Sequence, residues 1–189
     1  MTERLLVAGD SVPEGARTDG AAWPARLGDR FASVAVTASM GWELAETGDQ
    51  ALAALDASES DVPSGVHGTT VSVQAGHNDC QLSNGEPRVP LDAFAATARE
   101  IDARLADDER VARHAFVGLL PMGLREGVSF AGDQPARSER YDDRLAAAVE
   151  THLSIRDAAD WARATVDGVH PTDDGHAAIA DRVRAWLDG

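Results

Sequence analysis

Four short stretches of the 189-residue chain hold residue types that can carry out acyl transfer. Gly9-Asp10-Ser11 offers a serine hydroxyl, Gly41-Trp42 a glycine N–H, and Gly76-His77-Asn78-Asp79 a side-chain amide. Asp167-Gly168-Val169-His170-Pro171 adds a histidine with a carboxylate three positions before it. A serine hydroxyl is a weak nucleophile until an adjacent base takes its proton. Histidine can do that near neutral pH, and a carboxylate can fix its tautomer. The oxyanion formed on attack needs donors already in place, which a glycine N–H and an asparagine amide can supply. Each residue also has an ordinary structural use: Ser11 or His170 as a helix cap, Asn78 and Asp79 as turn residues.

These stretches act together only if the chain brings them to one place, and the apolar pattern indicates how. Leu5–Ala8, Ser33–Ala38, Thr69–Ala75 and His114–Leu120 read as buried strands closed by glycine or proline, with Ser154–Ala158 a weaker fifth. Between them, apolar residues recur every three or four positions over Trp42–Leu55, Leu91–Leu105, Tyr141–Leu153 and Asp174–Leu187. Alternating strands and helices predict right-handed βαβ units, hence a parallel sheet covered on both faces. In such sheets ligands bind at the carboxyl ends of the strands, where the serine, glycine and asparagine stretches fall. Pro121–Ser138 lacks periodicity and is expected to form a wall of the substrate pocket. No internal repeat or linker interrupts residues 1–189, which are expected to form one domain.

In this order, and reaching from Gly9 to His170, the blocks resemble those of the SGNH (GDSL-type) hydrolases, a family of serine esterases, lipases and acetylesterases. The resemblance implies a flavodoxin-like three-layer α/β/α sandwich around a five-stranded parallel sheet. It implies Ser11 as nucleophile, His170 as general base and Asp167 as the residue orienting it. Ser11 N–H, Gly41 N–H and the Asn78 amide would form the oxyanion hole. The family usually carries an asparagine a few residues before its second-block glycine, where this chain has Thr37-Ala38-Ser39-Met40-Gly41. The Gly76-His77-Asn78-Asp79 block looks like that of carbohydrate deacetylases in the family. His77 and Trp42 are expected to contact substrate, the plainer alternatives being a space-filling ring and a core aromatic. Asp10 is expected to brace its loop by hydrogen bonds, and His176 to be structural.

The composition narrows the remaining choices. Asp and Glu total 32 against 17 Lys plus Arg, a net charge of −15, and every basic residue is arginine. Without lysine there is no G-x-x-x-x-G-K-[ST] phosphate loop and no side-chain Schiff base. The single cysteine, Cys80, excludes an intrachain disulfide, a CxxC pair and a multi-cysteine zinc site, and it reads as a small buried residue. His170 and His176 lack a recognised metal-ligand spacing, so neither metal nor cofactor is expected. Nucleic acid and anionic lipid would repel so acidic a chain. The acidic, lysine-free composition resembles that of proteins from salt-loving microbes. Met1-Thr2-Glu3-Arg4 precedes too few apolar residues for an export signal, and no apolar run could cross a membrane, so a cytoplasmic location is expected. The expectation is a hydrolase of small-molecule carboxylic esters with short acyl groups, such as acetyl on a carbohydrate. The alternatives are a lysophospholipase or acyl-thioesterase on this scaffold, a non-catalytic binding domain, or a flavodoxin-like nucleotide binder, which the lack of a glycine-rich phosphate cradle disfavours.

Overall fold

The computed structural model describes residues 3–57, 68–124 and 132–189. In chain order its elements are β1 (Arg4–Gly9), α1 (Ser11–Glu14), β2 (Ser33–Ala38), α2 (Leu44–Ala57), β3 (Thr69–Gln74), β4 (Leu82–Ser83), β5 (Glu86–Pro87), α3 (Leu91–Asp107), β6 (Val111–Val117), α4 (Gln134–Ala146), β7 (His152–Leu153) and α5 (Asp173–Asp188). Five strands form one parallel sheet in the order β2-β1-β3-β6-β7, and β4 and β5 form a small antiparallel hairpin. β1 sits between β2 and β3, so strand order reverses there, and the reversal opens a crevice at the carboxyl edge.

Every residue of the central β3 is buried, which requires cover on both faces of the sheet. Helices α2, α3 and α4 pack beside one another, while α5 packs against β7 and the 3-10 turn Ala25–Leu27. The apolar stripes seen in the sequence are the inward faces: Phe94, Ala98, Ile101 and Leu105 on α3, and Ile179, Val183 and Leu187 on α5. This is the expected α/β architecture with a five-stranded parallel sheet.

Three boundaries differ from the sequence reading. The fourth strand is Val111–Val117, not His114–Leu120. Its polar first half is accommodated by side-chain contacts: His114 meets Asp102 at 2.8 Å, and Arg113 lies 5.2 Å over the Trp186 ring. At its far end the Leu119 and Leu120 N–H groups leave the ladder for side-chain acceptors, Asp142 and His77. The fifth strand is His152–Leu153, ahead of the expected Ser154–Ala158, and is fixed where Phe116 N–H and Gly118 N–H donate to the Thr151 and Leu153 carbonyls. The helix expected over Tyr141–Leu153 is α4, which starts at Gln134, with a proline in its first turn, and stops at Ala146. Of the expected pocket wall Pro121–Ser138, residues 125–131 lie outside the described residues.

Candidate active site

The turn after β1 is built by its own side chain. Asp10 caps α1, accepting the Val12 N–H at 2.9 Å, and this sets Ser11 at the first helical position with its side chain nearly buried. On the opposite approach, Asp167 folds the Asp167–His170 turn around its carboxylate. One oxygen accepts the backbone N–H of Val169 and His170 at 3.1 and 2.9 Å. The other meets His170 Nδ1 at 2.8 Å. Gly168 makes this turn possible: its φ is +90°, and a Cβ there would collide with the Gly123 carbonyl. His170 Nε2 then lies 3.0 Å from Ser11 Oγ. With Nδ1–H donated to Asp167, Nε2 is free to accept the serine proton. Partial burial raises the Asp167 carboxyl, but the His170 N–H, the His170 ring and the Val169 N–H outweigh it and hold it below its ordinary value. It is therefore a carboxylate wherever His170 could act as a base.

The block after β3 sends its side chains to the neighbouring strand ends: His77 to the β1 loop and the end of β6, Asn78 and Asp79 to the β2–α2 connection. His77 is 1% exposed; its Nε2 accepts the Leu120 N–H at 3.3 Å, so its Nδ1 carries the proton that bonds Asp10 at 2.9 Å. The ring expected to touch substrate thus has both nitrogens occupied inside the protein, where it ties the β1 loop to the end of β6. Asn78 donates from Nδ2 to the Trp42 carbonyl at 2.9 Å, and its second amide hydrogen has no described acceptor. Asp79 is 1% exposed and accepts the Leu44 N–H at the start of α2, with its carboxyl pushed up to about 7, chiefly by burial. Cys80, next in line, is buried, and burial pushes its thiol up to about 12, the opposite of what a nucleophilic thiolate needs.

Gly41 has a φ of +90°, open space where a Cβ would stand, and no described partner on its N–H. Its carbonyl accepts Arg88 at 3.2 Å, and the same guanidinium bonds Glu43 at 2.9 Å. Trp42 is half-buried beside it. Two arginines that no motif flagged are therefore built into this edge: Arg88 behind Gly41, and Arg17, whose NH1 reaches Asp167 at 2.7 Å. His176 lies off the edge, buried in the first turn of α5, where its Nδ1 accepts the Trp23 N–H and burial pushes it down to about 4. Among the described residues no three His, Cys, Asp or Glu side chains gather in a way that could hold a metal ion.

A serine hydroxyl, an imidazole and a carboxylate thus stand in one hydrogen-bonded chain, and the Gly41 N–H and one Asn78 amide hydrogen have no described acceptor, an arrangement that could carry out acyl transfer. Residues 7–178 match the GDSL-like Lipase/Acylhydrolase family. The chain belongs to that family. As a member it is an ester hydrolase. Solved structures of similar fold include an alpha/beta hydrolase enzyme from the metagenome of Lake Arreo, Spain, at 18% identity and a TM-score of 0.67, covering 99% of this chain and 95% of that one. An acetylxylan esterase from Geobacillus stearothermophilus is similar at 16% identity and a TM-score of 0.63, covering 100% and 94%. A catalytic mutant of that esterase gives 15% identity and a TM-score of 0.71 at the same coverage. No curated protein sequence matches the chain. Among the described residues no helix of this hydrolase is long and apolar enough to cross a membrane.

Proposed function

We propose that this hydrolase cleaves small carboxylic esters with short acyl groups through an acyl-enzyme on Ser11. The observation that carries the reading is the hydrogen-bonded chain Ser11–His170–Asp167, 3.0 and 2.8 Å per link, at the carboxyl edge of the sheet. Ser11 Oγ attacks the ester carbonyl carbon, and its proton passes to His170 Nε2. The oxyanion is held by the N–H of Ser11 and Gly41 and the second amide hydrogen of Asn78. The C–O bond then breaks, and the alcohol leaves with the proton from His170. A water, deprotonated by His170, releases the acid and restores Ser11. His77 and Asp10 hold the loops in register, and Trp42 gives its carbonyl to Asn78 and offers its half-buried ring to substrate beside Gly41. The acetylated-sugar version of this substrate class draws support from the acetylxylan esterase of similar fold. We read residues 1–189 as one domain acting in the cytoplasm, with an acidic surface suited to high salt.

A second reading, lysophospholipase or acyl-thioesterase, draws on exposed Met40 next to Gly41 and exposed Leu124 next to Gly123, apolar surface on which a longer chain could lie. Hydrolysis of p-nitrophenyl acetate and p-nitrophenyl octanoate, in low and molar salt, tests both. The expected result is faster acetate turnover that disappears in Ser11→Ala. Activity retained in that variant refutes the Ser11 mechanism, and preference for octanoate moves the substrate to the second reading.

A further inference from the structure

The oxygen of Asp167 that receives the His170 ring also receives a guanidinium. Arg17 NH1 and His170 Nδ1 stand 2.7 and 2.8 Å from the same Oδ2, hence within about 5.5 Å of each other. Arg17 belongs to the loop that carries Ser11. Gly15 closes α1 at a φ of +83°, and Arg17 itself sits at +62°, in the left-handed region that side-chain-bearing residues avoid. Ala16 N–H donates to the Ser11 carbonyl at 3.0 Å and Thr18 N–H to the Gly15 carbonyl at 3.3 Å, so two tight turns hold the unfavourable conformation. A strained residue aimed at a functional group is the pattern expected when position serves chemistry. The pair is also unequal: the Arg17 side chain is 57% exposed and that of Asp167 12%. An ion pair with one partner so exposed adds little to fold stability.

We propose that Arg17 is a positioning residue for the base: it anchors the Asp167 carboxylate and draws part of its charge away from the His170 ring. The proposal rests on the acyl-enzyme reading above. A carboxylate shared with a fixed cation stabilises the protonated ring less, so His170 is free to accept the serine proton at lower pH than an unshared Asp167 would allow. The charged and titratable groups that face the ring are Asp167 and Arg17, with Ser11 across the site. His176, with Arg26 and Asp173 around it, lies on the α5 side. The loop thus supplies both the nucleophile and the cation that tunes its base.

The test compares wild type, Arg17→Ala and Arg17→Lys. The acid limb of kcat/KM on p-nitrophenyl acetate should move up by about half a pH unit in Arg17→Ala, the size expected of one screened charge at this separation. Arg17→Lys should return the limb toward wild type, since the charge is kept. Molar salt should narrow the gap between the wild-type and Arg17→Ala limbs, since it screens the one charge by which they differ. In parallel, the titration of the His170 ring followed by NMR should move the same way, whether or not ester is turned over. A ring titration unchanged in Arg17→Ala overturns the proposal. Loss of hydrolysis in Ser11→Ala together with that unchanged titration overturns the Arg17 role alone, whereas hydrolysis surviving in Ser11→Ala overturns the acyl-enzyme reading instead.

Discussion

Replacing Asp79 by asparagine is expected to raise stability at pH 8 and to change it little at pH 4. The side chain is 1% exposed, and its two oxygens lie 3.2 and 3.1 Å from the Leu44 N–H. Burial, opposed by the Leu44 N–H and the residue's own backbone N–H, pushes the carboxyl from 3.8 up to about 7. In the unfolded chain it titrates near 4. Between those values the folded protein keeps a proton that the unfolded chain has released. Stability therefore falls as pH rises from about 4 to about 7 and stays low above that. About three units, at 1.36 kcal/mol per unit, put the ceiling of this cost at roughly 4 kcal/mol at pH 8. Asparagine has the same shape, keeps an acceptor for Leu44 and has no charge to bury. For a chain of this length the gain corresponds to roughly 10 °C in Tm at pH 8. Thermal unfolding of both proteins at pH 4.5, 6 and 8 reads it directly, as a difference that grows with pH. A difference independent of pH, or an asparagine variant less stable at pH 8, would refute the claim that burial raises the Asp79 carboxyl.

Two further outcomes follow from the same geometry. Asn78→Ala should keep the fold and slow ester turnover by about a hundredfold or more, the cost of one oxyanion donor, because it removes both that donor and the tether on the Trp42 carbonyl; an unchanged kcat on p-nitrophenyl acetate would remove Asn78 from the site. With a net charge of −15, the folded protein should gain thermal stability between 0.1 and 2 M NaCl, where the screening length drops to about 3 Å or less, and a Tm that stays flat or falls would end the high-salt reading of the composition.

The carboxyl ends of β1, β2 and β3 are legible because apolar runs there give way to glycine and polar residues, and the residues with chemistry follow closely. α4 was misplaced for an instructive reason. Its buried face is Gln134, Arg137, Ser138, Tyr141, Asp142 and Leu145, a helical spacing written mostly in polar residues. Each polar member has an inward partner: Gln134 donates to the Cys80 sulfur, Arg137 donates to the Cys80 carbonyl, Ser138 accepts the Met122 N–H, and Asp142 accepts the Leu119 N–H. A search for apolar periodicity registers only Tyr141 and Leu145 there, and it then slides downstream to Val149 and Leu153. Arg17 and Arg88 were illegible for another reason. An arginine on an exposed loop looks like solubility until tertiary structure shows whose oxygen it meets, and Asp167 lies 150 positions from Arg17.

The Gly76–Asp79 block does more than present an amide. His77 joins the loop of Ser11 to the end of β6, Asn78 holds the carbonyl next to Gly41, and Asp79 holds the first N–H of α2. The groups proposed to meet the oxyanion come from three loops, of which this block is one and ties down the other two by hydrogen bonds. Donors held this way need no rearrangement as charge develops, which is where electrostatic catalysis gains over water. Burial of the block is also what raises the Asp79 carboxyl, against the Leu44 N–H that lowers it, so the stability given up at neutral pH and the fixing of the site share one cause, the withdrawal of this block from water. A variant that recovers the one without disturbing the other must change the charge of Asp79 and leave its shape, which is why asparagine, and not alanine, is the informative replacement.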